Sequence, residues 1–144
     1  MRVYLDNCCY NRPFDDQGQD RIHIEAQAKL NIQQKIRYGS IELVTSYILV
    51  AENAANRFES KRNDIQNFID QYTGIYVSET NSDKVKAIAN DIMDAGIKLM
   101  DACHVACAII AGCDYFISTD KRLLKYRDSR IKIVNPVVYV VEED

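Results

Sequence analysis

The sequence predicts an α/β fold built on a mostly parallel sheet, and two observations carry that prediction. The first is a rhythm of glycines. Three times a helix-like segment runs into a glycine (Gly39, Gly74, Gly112) and then into a short β-rich stretch. Those stretches are Glu42-Leu43-Val44-Thr45, Ile75-Tyr76-Val77 and Tyr115-Phe116-Ile117. Glycine just past a helix end takes the left-handed conformation that closes the last turn. Helix, glycine and strand in repetition are therefore the mark of βα alternation. The second observation is the placement of four acids, Asp6, Glu52, Asp101 and Asp120, each where a parallel sheet would carry it to one edge.

Taken in order, the chain opens on the apolar strand Val3-Tyr4-Leu5, which ends at Asp6. Residues 19–38 have a helical composition, with a broad stripe (Ile22, Ile24, Ala26, Ala28, Leu30, Ile32, Ile36) that leaves the buried face open. The strand at 43–45 leads into a helix that carries Glu52. Ile65, Phe68, Ile69 and Tyr72 keep the spacing of an amphipathic helix, as do Val85, Ile88, Ala89 and Ile92. Thr80-x-x-Asp83 or Ser82 supplies cap chemistry for the latter, and Gly96 marks its end. Residues 99–111 are apolar nearly all round, which predicts a core helix with Asp101 in its opening turn. Asp120 directly follows Tyr115-Phe116-Ile117-Ser118. The strand Ile131-Lys132-Ile133-Val134 ends at Asn135-Pro136, and residues 137–141 are read as an edge strand or a short turn. With no repeat, linker or low-complexity tract, residues 1–144 are read as one domain.

Hydrophobic residues make up 47% and charged residues 27%, the balance of a soluble globular protein. A formal net charge of −3 argues against a non-specific polyanion binder, though not against an enzyme with local basic patches. No apolar run reaches the length of a membrane span, and Met1-Arg2-Val3-Tyr4-Leu5-Asp6 meets charge too soon for a signal peptide. The expected location is the cytoplasm. The 5 cysteines are an odd number without paired C-x-x-C spacing, so they are read as reduced, packed thiols and not as a disulfide or zinc framework.

In open α/β sheets the ligand crevice lies beyond the carboxyl ends of the strands. Four carboxylates gathered there repel one another unless a cation neutralises them, and oxygen ligands favour Mg²⁺ or Mn²⁺. The bland alternative is that each acid is solvated or merely caps a helix. Against it, Asp6 follows a buried-type strand and Asp101 opens a buried helix, places where an unpaired charge is costly.

Four segments in order, Val3-Tyr4-Leu5-Asp6-Asn7, Ser46-Tyr47-Ile48-Leu49-Val50-Ala51-Glu52, Lys98-Leu99-Met100-Asp101-Ala102-Cys103-His104-Val105-Ala106 and Asp114-Tyr115-Phe116-Ile117-Ser118-Thr119-Asp120, resemble the successive motifs of PIN-domain nucleases, a family that includes the VapC-type ribonuclease toxins. The resemblance spans essentially the whole chain. It implies a three-layer α/β/α fold with a five-stranded, mostly parallel sheet, and a metal-dependent endoribonuclease. Asp6, Glu52, Asp101 and Asp120 carry over as metal-binding and catalytic acids, and Mg²⁺ or Mn²⁺ is the implied cofactor. Ser118 keeps a hydroxyl where the family often has threonine, and Asn7 fits the small polar residue after the first acid. The implied partners are an RNA substrate and, for a toxin, an antitoxin protein and a second copy of the chain.

Around these acids, Arg12, Lys98, Lys121 and Arg122 are candidates for holding substrate phosphates, with Lys125, Lys61 and Arg62 beyond them. His104, three residues after Asp101, shares its helix face and is read first as a packed, hydrogen-bonded histidine. Two competing functions stand beside the nuclease. A phosphatase of the haloacid-dehalogenase type wants a second Asp two positions after the first, where Cys8 stands. A non-catalytic module using the same fold to hold RNA or protein is the other, and the retained acids count against it.

Overall fold

The structure, a computed structural model, describes residues 1–15 and 18–143. Five strands form one sheet: β1 (Arg2–Leu5), β2 (Glu42–Ser46), β3 (Thr73–Val77), β4 (Tyr115–Ile117) and β5 (Lys132–Val134). Their spatial order is β3-β2-β1-β4-β5, and every pairing is parallel. The helices are α1 (Asn7–Asn11), α2 (Asp20–Arg37), α3 (Tyr47–Ala54), α4 (Glu59–Tyr72), α5 (Ser82–Asp94), α6 (Leu99–Ile110), α7 (Lys121–Lys125) and α8 (Pro136–Glu143). Successive strand residues point to opposite faces, yet Val3, Tyr4, Leu5 and all of β4 are buried, so both faces of the sheet are covered. The parallel α/β class predicted above is the observed one.

Most element boundaries fall within a residue or two of their predicted places. Gly39, Gly96 and Gly112 take positive φ after α2, α5 and α6, as helix-closing glycines should. Gly74 does not. It lies inside β3 where the pairing slips, with Leu43 opposite Thr73 and Val44 opposite Ile75, so it is the extra residue of a β-bulge. A Cβ there would meet Glu42 Cγ at 2.9 Å, so any larger residue would have to push that exposed side chain aside. The closing of α4 falls instead to Thr73, whose hydroxyl donates to the Ile69 carbonyl at 2.5 Å.

Two further readings are corrected, and one left open is answered. Residues 137–141 are helical, within α8. Asn135 Oδ1 accepts from the Val137 N–H at 2.9 Å, Pro136 fits the first turn, and Tyr139 buries its ring edge-on against Tyr115. Capping and a buried aromatic override the β-propensity of four valines. The cap chemistry at Thr80, Ser82 and Asp83 is not used: Asn81 precedes α5 and no side chain caps it. On α2 the buried face is Glu25, Ala26, Lys29, Ile32, Gln33 and Ile36, while Ile24 and Leu30 are exposed. A half-polar buried stripe cannot be picked out by hydrophobic periodicity. Elsewhere α6 packs on α5 and α3, and α2 on α8. Among the described residues no helix is long and apolar enough to cross a membrane.

Candidate active site

The strand order reverses between β1 and β4, and the crevice of an open parallel sheet lies at such a switch point. Asp6 stands there at the end of β1, its N–H donating to the Ile117 carbonyl at 2.9 Å. The side chain is buried. Its Oδ1 accepts from the Asn7 N–H at 2.8 Å, and its Oδ2 accepts from the Ser118 hydroxyl at 2.8 Å and the Cys8 thiol at 3.4 Å. Ser118 Oγ in turn accepts from the Asp120 N–H at 3.1 Å, so one hydroxyl ties the two acids of this edge together. Asp120 caps α7 through Oδ1, which accepts from the N–H groups of Arg122 (2.8 Å) and Leu123 (3.3 Å). The capping role weighed above for Asp6 thus holds for both acids. It does not displace them from the crevice.

Helices bring in the rest. Glu52 lies half-buried on α3, and Asp101 in the first turn of α6. His104, one turn further along α6, is buried with Nδ1 2.7 Å from Tyr4 Oη, which lies 2.6 Å from Ser46 Oγ. Ser46 Oγ accepts from the Leu49 N–H at 3.1 Å, capping α3. A consistent direction runs Ser46 to Tyr4 to His104 Nδ1, leaving the Nε2 proton toward Glu52. Nε2 sits 3.4 Å from Glu52 Oε1 yet has no hydrogen-bond partner of good geometry. One ligand atom each from Asp6, Glu52 and His104 lie within 4.8 Å of one another. Asp101 and Asp120 stand outside that trio and line an adjoining cleft of about 300 Å³ with Lys98 and Arg122.

Electrostatics binds the two groups into one site. The Asp101 carboxyl is raised above its ordinary value by burial, then by the negative charges of Asp6 and Asp120, with Glu52 adding and His104 opposing. Burial lowers the His104 imidazole, but Glu52, Asp6 and Asp101 outweigh it and the net shift is upward. Asp101 therefore feels the other three acids, a like-charge cluster beside an orphaned imidazole nitrogen. Carboxylate oxygens in the majority, held by hydrogen bonds from outside, fit a hard divalent cation.

The basic candidates divide. Lys98, Lys121 and Arg122 are exposed and make no ion pair among the described residues. Arg12 is committed: its guanidinium donates to Asp15 Oδ2 (3.1 Å) and Thr119 Oγ1 (2.9 Å) and lies 3.4 Å from Glu25 Oε1. Arg21 also reaches Glu25 (3.5 Å) and donates to the Thr119 carbonyl at 2.8 Å. Lys61 stacks over Phe58, and Arg62 donates to the Asn56 carbonyl. Sequence reasoning placed His104 beside Asp101 by its spacing but missed Tyr4 and Ser46, whose roles depend on a helix and two strands meeting. It also set Cys8 among the packing thiols, whereas the Cys8 thiol touches Asp6 and accepts from the Thr119 N–H at 3.3 Å. The 5 cysteines are all free thiols.

No family model matches the chain, and no curated protein matches it. Solved structures do. VapBC2 from Rickettsia felis, bound to a DNA fragment from its promoter, is similar at 12% identity and a TM-score of 0.58, over 94% of this chain and 98% of that one. FitAcB from Neisseria gonorrhoeae is similar at 20% identity and a TM-score of 0.57, over 93% and 97% of the two chains. A FitAB structure bound to an IR36 DNA fragment is similar at 20% identity and a TM-score of 0.57, over 94% and 95%. At such identities the likeness speaks for the fold, and it agrees with the one that the four motifs imply: the chain folds as a VapC-like PIN domain does.

Proposed function

We propose that this protein is a divalent-metal-dependent endoribonuclease that hydrolyses phosphodiester bonds in RNA, acting as the toxin of a toxin–antitoxin pair. The observation that carries the reading is the meeting of Asp6, Glu52, Asp101 and Asp120, from four separate elements, in one electrostatic field at the sheet's switch point. Carboxylate oxygens in the majority favour Mg²⁺ or Mn²⁺ over softer ions. Asp6 and Asp101 are assigned as direct ligands, and Glu52 and Asp120 either ligate or orient the attacking water. His104 supports them from behind, its Nε2 proton directed toward Glu52.

When bound, such an ion makes a water acidic enough to attack phosphorus and steadies the charge of the leaving oxygen. The chain's own residues prepare the site. Ser118 fixes Asp6 Oδ2 and the Asp120 backbone at once. Tyr4 and Ser46 hold the His104 ring so that Nε2 faces Glu52. Asn7, next to Asp6, has a buried Oδ1 with no partner, a polar atom available to the site. Lys98, Lys121 and Arg122 take substrate phosphates, positioning the strand without reading its sequence. Similarity to the VapBC2 and FitAB structures supports an antitoxin partner.

The test is cleavage of mixed single-stranded RNA with Mn²⁺ and with EDTA, by the parent and by Asp6→Asn. Cleavage should require the metal and be lost in the variant. Cutting that persists in EDTA, or in well-folded Asp6→Asn at the parent rate, sinks the proposal. RNA binding without any cleavage would favour the non-catalytic module instead.

A further inference from the structure

Among the described residues Lys29 is the one lysine that folding buries: it is 3% exposed on the inner face of α2. Its ammonium lies 5.4 Å from the centre of the Tyr10 ring and 5.7 Å from that of Phe68, and it has no carboxylate partner among the described residues. The Tyr10 hydroxyl is also buried and without a hydrogen-bond partner. Both residues line a cavity of about 190 Å³ between α1, α2 and α4, whose other walls include Ile65, Phe68 and Arg37. Arg37 is held there by stacking, its guanidinium 5.6 Å from the Phe68 ring and 5.9 Å from the Tyr72 ring. Buried charges are ordinarily paired, so an ammonium that opens on a cavity beside two rings, with no carboxylate in ion-pair range among the described residues, lacks its counter-ion.

We propose that this cavity is a binding site for a carboxylate carried on a small apolar or aromatic group, with Lys29 and Arg37 as its cationic contacts and Tyr10 as a hydroxyl donor. The walls set the class. Tyr10, Phe68 and Ile65 offer apolar surface, and about 150 Å³ is enough to hold a benzene ring. Asp64 also lines the cavity, which opposes a phosphate dianion more strongly than a single negative charge. Burial, with Arg37 adding to it, lowers Lys29 to about 7 against the pull of Cys9, as befits an ammonium lacking a partner. Nothing in this site uses the acid cluster, so it stands or falls apart from the nuclease reading.

The experiment is calorimetric or NMR titration of the full chain with benzoate, with benzamide as the neutral isostere and inorganic phosphate as the dianion. Benzoate should bind saturably, and benzamide and phosphate at least tenfold more weakly. Lys29→Met should lose benzoate at least tenfold. Tyr10→Phe, which keeps the ring and the packing, should weaken it by a smaller factor. A second arm uses an acetylated, amidated Leu-Glu-Leu peptide against its Gln counterpart. Tighter binding of the Glu peptide than of benzoate assigns the carboxylate to a protein segment, and the reverse assigns it to a small molecule. Equal affinity for benzoate and benzamide, or benzoate binding unchanged in Lys29→Met, overturns the proposal, as does the absence of any saturable benzoate signal.

Discussion

The chain buries carboxylates in two adjoining places and treats them in opposite ways. Glu25, 2% exposed, sits between the guanidinium groups of Arg12 and Arg21 and accepts a further hydrogen bond from Asn135. Asp6, 5% exposed, accepts only from hydroxyl, thiol and backbone donors, and around it stand the acids Glu52 and Asp101 and the imidazole of His104. Thr119 joins the two regions. Its carbonyl and hydroxyl belong to the arginine network, while Ser118 and Asp120 on either side belong to the acids. The difference separates structure from function. A charge neutralised within the chain holds the loop after β4 in place, whereas the acids without a cationic partner at the end of β1 and on that loop are those that the proposed metal ion would offset.

The sharpest way to break this contrast is to remove one charge from each side. Glu25→Gln leaves two guanidinium groups without their shared anion and should cost about 3–5 kcal/mol, as breaking a buried pair does. Asp6→Asn relieves like-charge repulsion, so the metal-free variant should melt no lower than the parent. Its RNA cleavage should nevertheless fall by roughly two to three orders of magnitude, since a metal's charge stabilisation is worth several kcal/mol. Denaturant melts and single-turnover cleavage read the two effects. If Asp6→Asn destabilises as much as Glu25→Gln, the acid cluster is structural and the contrast is wrong.

A cation should distinguish the regions next. Mn²⁺ at a hundredfold over its dissociation constant should stabilise the parent by about 2.7 kcal/mol through binding to the folded state alone. Glu25→Gln should keep that increment on its lower baseline, whereas Asp6→Asn and Asp101→Asn should lose most of it. A thermal melt unmoved by millimolar Mn²⁺ or Mg²⁺ in the parent would leave the acids without the partner assigned to them.

Lys29 adds a buried cation that is not neutralised, and its effect on stability has a definite sign. Burial lowers its folded value to about 7 while the unfolded chain keeps about 10.5, so between those limits the unfolded chain holds more protons and stability rises with pH. Lys29→Met should therefore stabilise the protein most at pH 7 and below, by roughly 1–2 kcal/mol, the low end for replacing buried charge with apolar groups. The gain should shrink as pH climbs toward 9. Comparing variant with parent at each pH cancels the buried thiols of Cys107 and Cys113, which are pushed up by burial and act in both proteins. A gain that stays constant from pH 6 to 9 would show that Lys29 does not titrate there.

How far the sequence foretold these regions follows from what each depends on. The α/β class, all five strands on their apolar runs, and the gathering of the acids at one edge rest on local periodicity and on the rule for parallel sheets, which one chain displays. Helix α8 was misread because four valines look like a strand until Asn135 and the Tyr115–Tyr139 contact are seen. Gly74 was misread because a bulge depends on the neighbouring strand. The Glu25 network joins residues as far apart as Arg12 and Asn135, and on α2 its glutamate looks like any solvated acid. Charges that face one another across elements leave no periodic trace.

The smallest expected effect tests the basic residues, which the structure divides as it divides the acids. Lys98, Lys121 and Arg122 are exposed near the cleft, whereas Arg12 is bound to Asp15, Glu25 and Thr119. A lysine or arginine that neutralises one phosphate of a single strand contributes about 0.7 to the slope of log affinity against log salt. Alanine at Lys98, Lys121 or Arg122, placed in cleavage-dead Asp101→Asn protein, should each weaken RNA binding a fewfold and flatten that slope by about this amount. Their melting points should not move, because exposed charges without partners contribute little to stability. Arg12→Ala should do the reverse, lowering stability through Glu25 and leaving the slope as it was. Fluorescence anisotropy over a salt series, with a melt of each variant, reads both quantities. If Arg12→Ala flattens the slope and the other three do not, the RNA path runs over the arginine network, and the division between a structural and a functional edge drawn at Thr119 is in the wrong place.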